Sequence, residues 1–91
     1  MKKESDFYFM SDEEILARAS SVDYPRKEII NCALKTLGDV ATLTEISNFF
    51  KLSKSHIYRG IDERKILTVK SGVKLLILTK TVANILSNND I

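Results

Sequence analysis

The sequence predicts a mainly α fold with a small β-hairpin, and three observations carry that prediction. Two capping boxes, Ser11 to Glu14 and Thr42 to Glu45, each stand before an apolar run. Ile30, Ala33, Leu34 and Leu37 recur at i, i+3, i+4 and i+7, which is one face of a helix. After Lys65 the residues change to β-formers on either side of the turn pair Ser71-Gly72.

Composition narrows the class. A length of 91 residues suits one domain and excludes a two-domain enzyme with its own cofactor fold. With 44% hydrophobic residues, 3 Gly and 1 Pro, the chain is neither disordered nor collagen-like. The lone Cys32 has no intrachain disulfide partner, and with one histidine there is no zinc-ligand spacing. No run approaches the roughly 18 apolar residues of a membrane span. Met1 to Asp6 turns acidic before any apolar run, unlike a secretory signal. The expectation is a cytoplasmic protein without metal or cofactor.

The elements follow in order. Residues 1–10 place Phe7, Tyr8 and Phe9 in a charged setting, as a tail or as an arm packed on a neighbouring subunit. Ser11 caps a short helix, Asp12 to Ser20, with Ile15, Leu16 and Ala19 as its stripe and Met10 and Ile15 as staple. Asp23-Tyr24-Pro25 starts a second helix, with proline in the first turn where its missing N–H costs nothing. Gly38-Asp39 ends it. Thr42 opens a third helix that runs to about Phe50, with Ala41 and Ile46 as its staple. Lys51-Leu52-Ser53 breaks the pattern, and Ser53 caps a fourth helix to Glu63 with Ile57 and Ile61 inward. Gly60 weakens that helix by the usual glycine penalty, about 1 kcal/mol. Ile66 to Lys70 and Val73 to Leu78 read as a hairpin, and Thr81 to Ser87 as a last short helix.

Charge is uneven along the chain. In residues 1–23, Lys2, Lys3 and Arg18 oppose Glu4, Asp6, Asp12, Glu13, Glu14 and Asp23, a net of −3. In residues 51–80, Lys51, Lys54, Arg59, Arg64, Lys65, Lys70, Lys74 and Lys80 oppose only Asp62 and Glu63, a net of +6. Such a segment points to a surface that meets a polyanion; the alternative is a solvated face of uneven charge.

Helix, three-residue turn, helix, then hairpin is the layout of a winged helix-turn-helix, whose second helix enters the major groove of DNA. The runs Thr42-Leu43-Thr44-Glu45-Ile46-Ser47, Leu52-Ser53-Lys54-Ser55-His56-Ile57-Tyr58-Arg59 and Lys65-Ile66-Leu67-Thr68-Val69-Lys70-Ser71-Gly72 resemble the MerR-like, excisionase-type winged-helix family. The resemblance covers residues 42–87, about half the chain. Arg64 stands where that family usually has a glycine before the wing, and residues 1–41 have no counterpart in its minimal domain. The division implied is an acidic N-terminal arm and short helix at 1–22 and a winged helix-turn-helix domain at 23–91.

The resemblance implies a recognition helix at about 53–63 and a wing at about 66–78. Ser53, Lys54, Ser55 and His56 would lie nearest the bases, with Arg59 one turn on; Arg and Lys suit guanine O6 and N7. Thr44 and Tyr58 would contact phosphate, Tyr58 alternatively packing on the wing. Lys70 and Lys74 belong to the wing. Phe49, Phe50 and Cys32 read as core. The function implied is sequence-specific binding of double-stranded DNA, as a small transcriptional regulator or an excisionase-like architectural factor. It would act as a homodimer or cooperative assembly through Ile15, Leu16, Ile30 and Leu34, without a small-molecule effector. The alternative is a winged helix that binds a protein partner and no DNA. An enzyme is not expected, because no nucleophile–base set, paired carboxylates or phosphate loop is visible.

Overall fold

The computed structural model describes residues 5–86. The chain runs α1 (Ser5–Tyr8), α2 (Asp12–Ser20), α3 (Tyr24–Leu37), β1 (Val40–Thr42), α4 (Leu43–Phe50), α5 (Lys54–Asp62), β2 (Thr68–Ser71) and β3 (Lys74–Leu78), then a 3₁₀ helix (Thr79–Ile85). It is mostly helical with a small antiparallel sheet in the order β1-β3-β2.

The helix ends lie where local chemistry puts them. Ser11 and Thr42 each form a complete capping box, to Glu14 and Glu45. Gly38 ends α3 at φ 91°, donating its N–H to the Leu34 carbonyl. The hairpin is joined on β3 by a third strand that the sequence did not suggest. Val40, Ala41 and Thr42 pair with Leu78, Ile77 and Leu76. Three residues are too few for a visible alternation, and Thr42 serves both as strand end and as helix cap. The final helix also differs from expectation. It is 3₁₀ and starts at Thr79, two residues early, because the chain turns directly off β3. Ser87, its expected end, lies outside the described residues.

Register sorts the sheet into two faces, since paired residues share a side and neighbours alternate. Ala41, Ile77 and Thr68 form one cross-strand row, and Lys70 with Leu75 continues that face. This face meets the main core, where Ile46, Ile57, Ile77 and Val82 are fully buried alongside Ala19, Ile30 and Ile66. Thr42, Leu76, Val69, Ser71 and Lys74 point the other way.

A second, smaller cluster joins Phe7, Ile15 and Leu67. Phe7 is therefore neither in a loose tail nor on a neighbouring subunit. It lies in the short helix α1, which folds back on its own chain, with the Arg18 guanidinium 5.2 Å and the Lys65 ammonium 5.8 Å from the ring centre. Ile15 and Ile30 are buried in the chain's own cores, and Leu16 and Leu34 pack against these cores half-buried. Cys32 is exposed rather than core: it lies two positions from Ile30 and one from Ala33, on the outer side of α3.

Thr79 and Thr81 are the buried polar side chains among the described residues, and only one of the two hydroxyls is hydrogen-bonded. The Thr81 hydroxyl donates to the Leu78 carbonyl at 2.7 Å and accepts from the Leu67 N–H at 3.1 Å, tying β3 to the start of the hairpin. The Thr79 hydroxyl has no hydrogen-bond partner among the described residues. Replacing Thr81 by valine leaves the buried Leu67 N–H without its acceptor, so Thr81→Val is expected to lose about 1–3 kcal/mol. Thr79→Val should be neutral or stabilising, because it removes an unpaired hydroxyl at nearly constant shape. Urea denaturation of both variants checks the pair; equal losses would contradict the assignment.

Candidate nucleic-acid interface

The turn between α4 and α5 is held by its own residues. Lys51 takes the left-handed conformation at φ 58° and closes α4 through its N–H to the Ser47 carbonyl. The Leu52 N–H reaches the same carbonyl at 3.1 Å, and the Ser47 hydroxyl donates to the Leu52 carbonyl at 2.7 Å. Ser53 then caps α5, its Oγ accepting from the His56 N–H at 3.1 Å. With both ends fixed, the three residues Lys51, Leu52 and Ser53 leave little freedom in the angle between the helices.

Burial then assigns the faces of α5. Ile57 and Gly60 are buried and Ile61 is half-buried. At 3.6 residues per turn the opposite face carries Ser55, Tyr58, Arg59 and Asp62, with Lys54 at its edge. All five are exposed. His56, also exposed, falls on the other edge, and its Nε2 lies 3.5 Å from the Ile85 carbonyl oxygen, at the limit of a hydrogen bond. The exposed surface of α5 thus carries Lys54, Ser55, Tyr58 and Arg59, with His56 along one edge beside Arg59. Ser53 is exposed with its hydroxyl engaged in the cap, and Thr44 is exposed on the first turn of α4.

Gly60 is a packing requirement of this helix. A Cβ there would lie 2.8 Å from Ile85 Cγ2 and 2.9 Å from Ile66 Cδ1, closer than carbon atoms approach. The Gly60 carbonyl also accepts from the N–H groups of Lys65 (2.9 Å) and Ile66 (3.3 Å), joining the helix to the lead-in of the hairpin. Within that lead-in Arg64 adopts φ 62°. This is the conformation a glycine takes at least cost, and Arg64 offsets it with its side chain. Its Nη2 donates to the Met10 carbonyl at 3.0 Å and to Asp12 Oδ1 at 3.2 Å, pinning the connection to the start of α2.

The hairpin closes with a two-residue turn, Gly72-Val73, between the paired Ser71 and Lys74. Gly72 has φ 65°, the positive value such a turn demands of its first residue. Lys70 and Lys74 are both exposed but on opposite faces: Lys70 on the side that meets the helical core, Lys74 on the outer side.

Ion pairing separates the basic residues of segment 51–80. Arg64 pairs with Asp12 at 3.2 Å and Lys65 with Glu63 at 3.3 Å. Lys51, Lys54, Arg59, Lys70, Lys74 and Lys80 are exposed and have no ion pair among the described residues. Lys51 and Lys80 were not singled out by motif reasoning; their place in the basic run was the available signal. Val73, on the hairpin tip, was read only as the first residue of a strand. Among the described residues no helix is long and apolar enough to cross a membrane.

Compared with known proteins, the chain matches no family model, no curated protein and no solved structure.

An open helix glycine gains about 1 kcal/mol on replacement by alanine. At position 60 the added methyl meets Ile85 and Ile66, and overpacking costs about 1–3 kcal/mol. Gly60→Ala is therefore expected to destabilise the protein by about 1 kcal/mol in chemical denaturation, and a gain in stability would contradict this packing.

Proposed function

We propose that this chain is a winged helix-turn-helix that binds double-stranded DNA, with α5 in the major groove and the hairpin as its wing. One observation carries the reading: Lys54, Arg59, Lys70 and Lys74 stand exposed without acidic partners among the described residues, on the two elements that such a fold turns toward DNA. Buried or paired cations would be spent inside the protein; these are free to displace counterions from phosphate.

Within this reading the first turn of α5 does two things. It carries no acidic residue, so the positive end of the helix dipole and Lys54 act together on phosphate. Ser55, Tyr58 and Arg59 extend the exposed face, and Arg59 is the residue suited to bidentate contact with guanine. Asp62 lies at the far end of the same face, which favours docking by the N-terminal half of the helix. Lys70, on the sheet side that meets the helical core, follows the backbone next to α5; Lys74 reaches the other side of the wing. The biological role that fits is a small cytoplasmic transcriptional regulator or an excisionase-like architectural factor. A module of this size gains affinity by dimerising or by binding adjacent sites.

Fluorescence anisotropy with random duplex and with duplex from the gene's upstream region, from about 50 to 200 mM salt, tests the proposal. Binding should weaken steeply with salt. The Lys54→Ala/Arg59→Ala double variant should lower the salt slope by about 2 and reduce affinity at least about tenfold, since each lost phosphate contact is worth about one unit of slope. Lys27→Ala, an exposed cation on α3, serves as the control and should change little. Absence of duplex binding at low salt, or a double variant equal to wild type, refutes the reading and favours a protein partner.

A further inference from the structure

Burial divides α3 into two sides. Ile30 and Ala33 are buried and Leu34 and Leu37 half-buried, while Pro25, Glu28, Ile29, Cys32, Lys35 and Thr36 are all exposed. The exposed set has the spacing of a helix that packs on another helix. Pro25, Ile29, Cys32 and Thr36 alternate by four and three positions, and Glu28 and Lys35 flank them one heptad apart. The centre of this strip is apolar. Ile29 is 46% exposed, and with Cys32, Phe49, Phe50 and Leu86 it lines an open groove of about 340 Å³ that Glu28 borders. The Phe49 and Phe50 rings, edge to face at 5.0 Å, form its wall on α4. An apolar face edged by charge is the surface of a helix awaiting a partner.

The charges say which partner. Neither Glu28 nor Lys35 has an ion pair among the described residues. Opposite charges at the same heptad position are complementary to themselves in an antiparallel pair. With a two-fold axis between Asn31 and Cys32, residue 28 falls opposite residue 35 of a second copy, and the symmetry makes that contact twice. The same axis covers Ile29 in both copies and sets Cys32 beside the partner's Cys32. We propose that α3 is a self-association surface, on which α3 of a second copy of this chain packs antiparallel. Two ion pairs between Glu28 and the partner's Lys35 fix its direction and register. No side chain proposed to meet DNA lines this groove, so the interface does not rest on the DNA-binding reading.

Sedimentation equilibrium of the full chain without DNA, from about 1 to 500 µM, tests the proposal, since a contact of this small area gives a dimer in the micromolar range. Glu28→Lys and Lys35→Glu should each weaken the dimer about tenfold, because each sets like charges opposite one another twice. The double variant Glu28→Lys/Lys35→Glu reverses both charges and should restore the wild-type dissociation constant to within about threefold. Circular dichroism checks that each variant is folded. The cysteine reports the register. Helices packed about 8–10 Å apart bring Cα atoms beside the axis within the about 4.4–6.8 Å that a disulfide spans. Diamide, which takes up the two thiol hydrogens, should therefore link wild-type chains through Cys32 much faster than chains carrying Glu28→Lys. A wild type that stays monomeric to 500 µM refutes the interface, as does a double variant no tighter than the single ones. Either failure leaves the DNA-binding reading standing, because that reading is tested with duplex.

Discussion

Everything presented outward on α5 depends on how closely its inner face approaches Ile66 and Ile85, and residue 60 sets that distance. Without a side chain at Gly60 the helix settles directly on these two isoleucines. Ile57 then drops into the main core with Ile46 and Ile77, and the opposite face of the helix is left in solvent. The same residue's carbonyl receives Lys65 and Ile66, so the lead-in to the hairpin starts from a fixed point. Helix and hairpin are thus mechanically one unit, anchored further by Arg64 on Met10 and Asp12 and by Asn84, whose Nδ2 donates to the carbonyls of Ile15 and Lys65.

These anchors also give α1 and α2 a purpose. Phe7, Ile15 and Leu67 form a small cluster under the beginning of the hairpin, and Arg18 and Lys65 lie over the Phe7 ring. Two acidic residues neutralise part of the basic segment: Asp12 of the leader takes Arg64, and Glu63 within the segment itself takes Lys65. What is left unpaired is concentrated on the elements proposed to meet DNA. An uneven sequence charge becomes a directed surface because the fold consumes some of its cations and spares others.

The legible parts of the sequence were those decided within a few residues. Ser11, Thr42 and Ser53 cap helices through bonds three positions away, and Gly38 and Gly72 take backbone conformations that their turns demand. Those signals are local, and the helices and hairpin they delimit were readable to within a residue or two. The illegible parts were decided by distant contacts. Gly60 looked like a weak point because propensity knows nothing of Ile85, 25 positions on. Val40–Thr42 became a strand because β3 offered it an edge. Cys32 and Ile30 differ in burial although both sit among apolar residues, because the packing of α3 on the core selects one side. In the candidate site the exposed stripe of α5 was legible from spacing, whereas the pairing that removes Arg64 and Lys65 from it was not.

The proposed DNA contact joins two elements, the first two turns of α5 and the tip of the hairpin. Amide chemical-shift mapping of the ¹⁵N-labelled protein during titration with duplex tests it most directly. DNA contact at this interface shifts the amides of Ser53 to Arg59 and Lys70 to Lys74 and leaves the exposed acidic turn Asp12 to Glu14 unmoved. Shifts centred on α2 or α3, or none at all with saturating duplex at low salt, would contradict it.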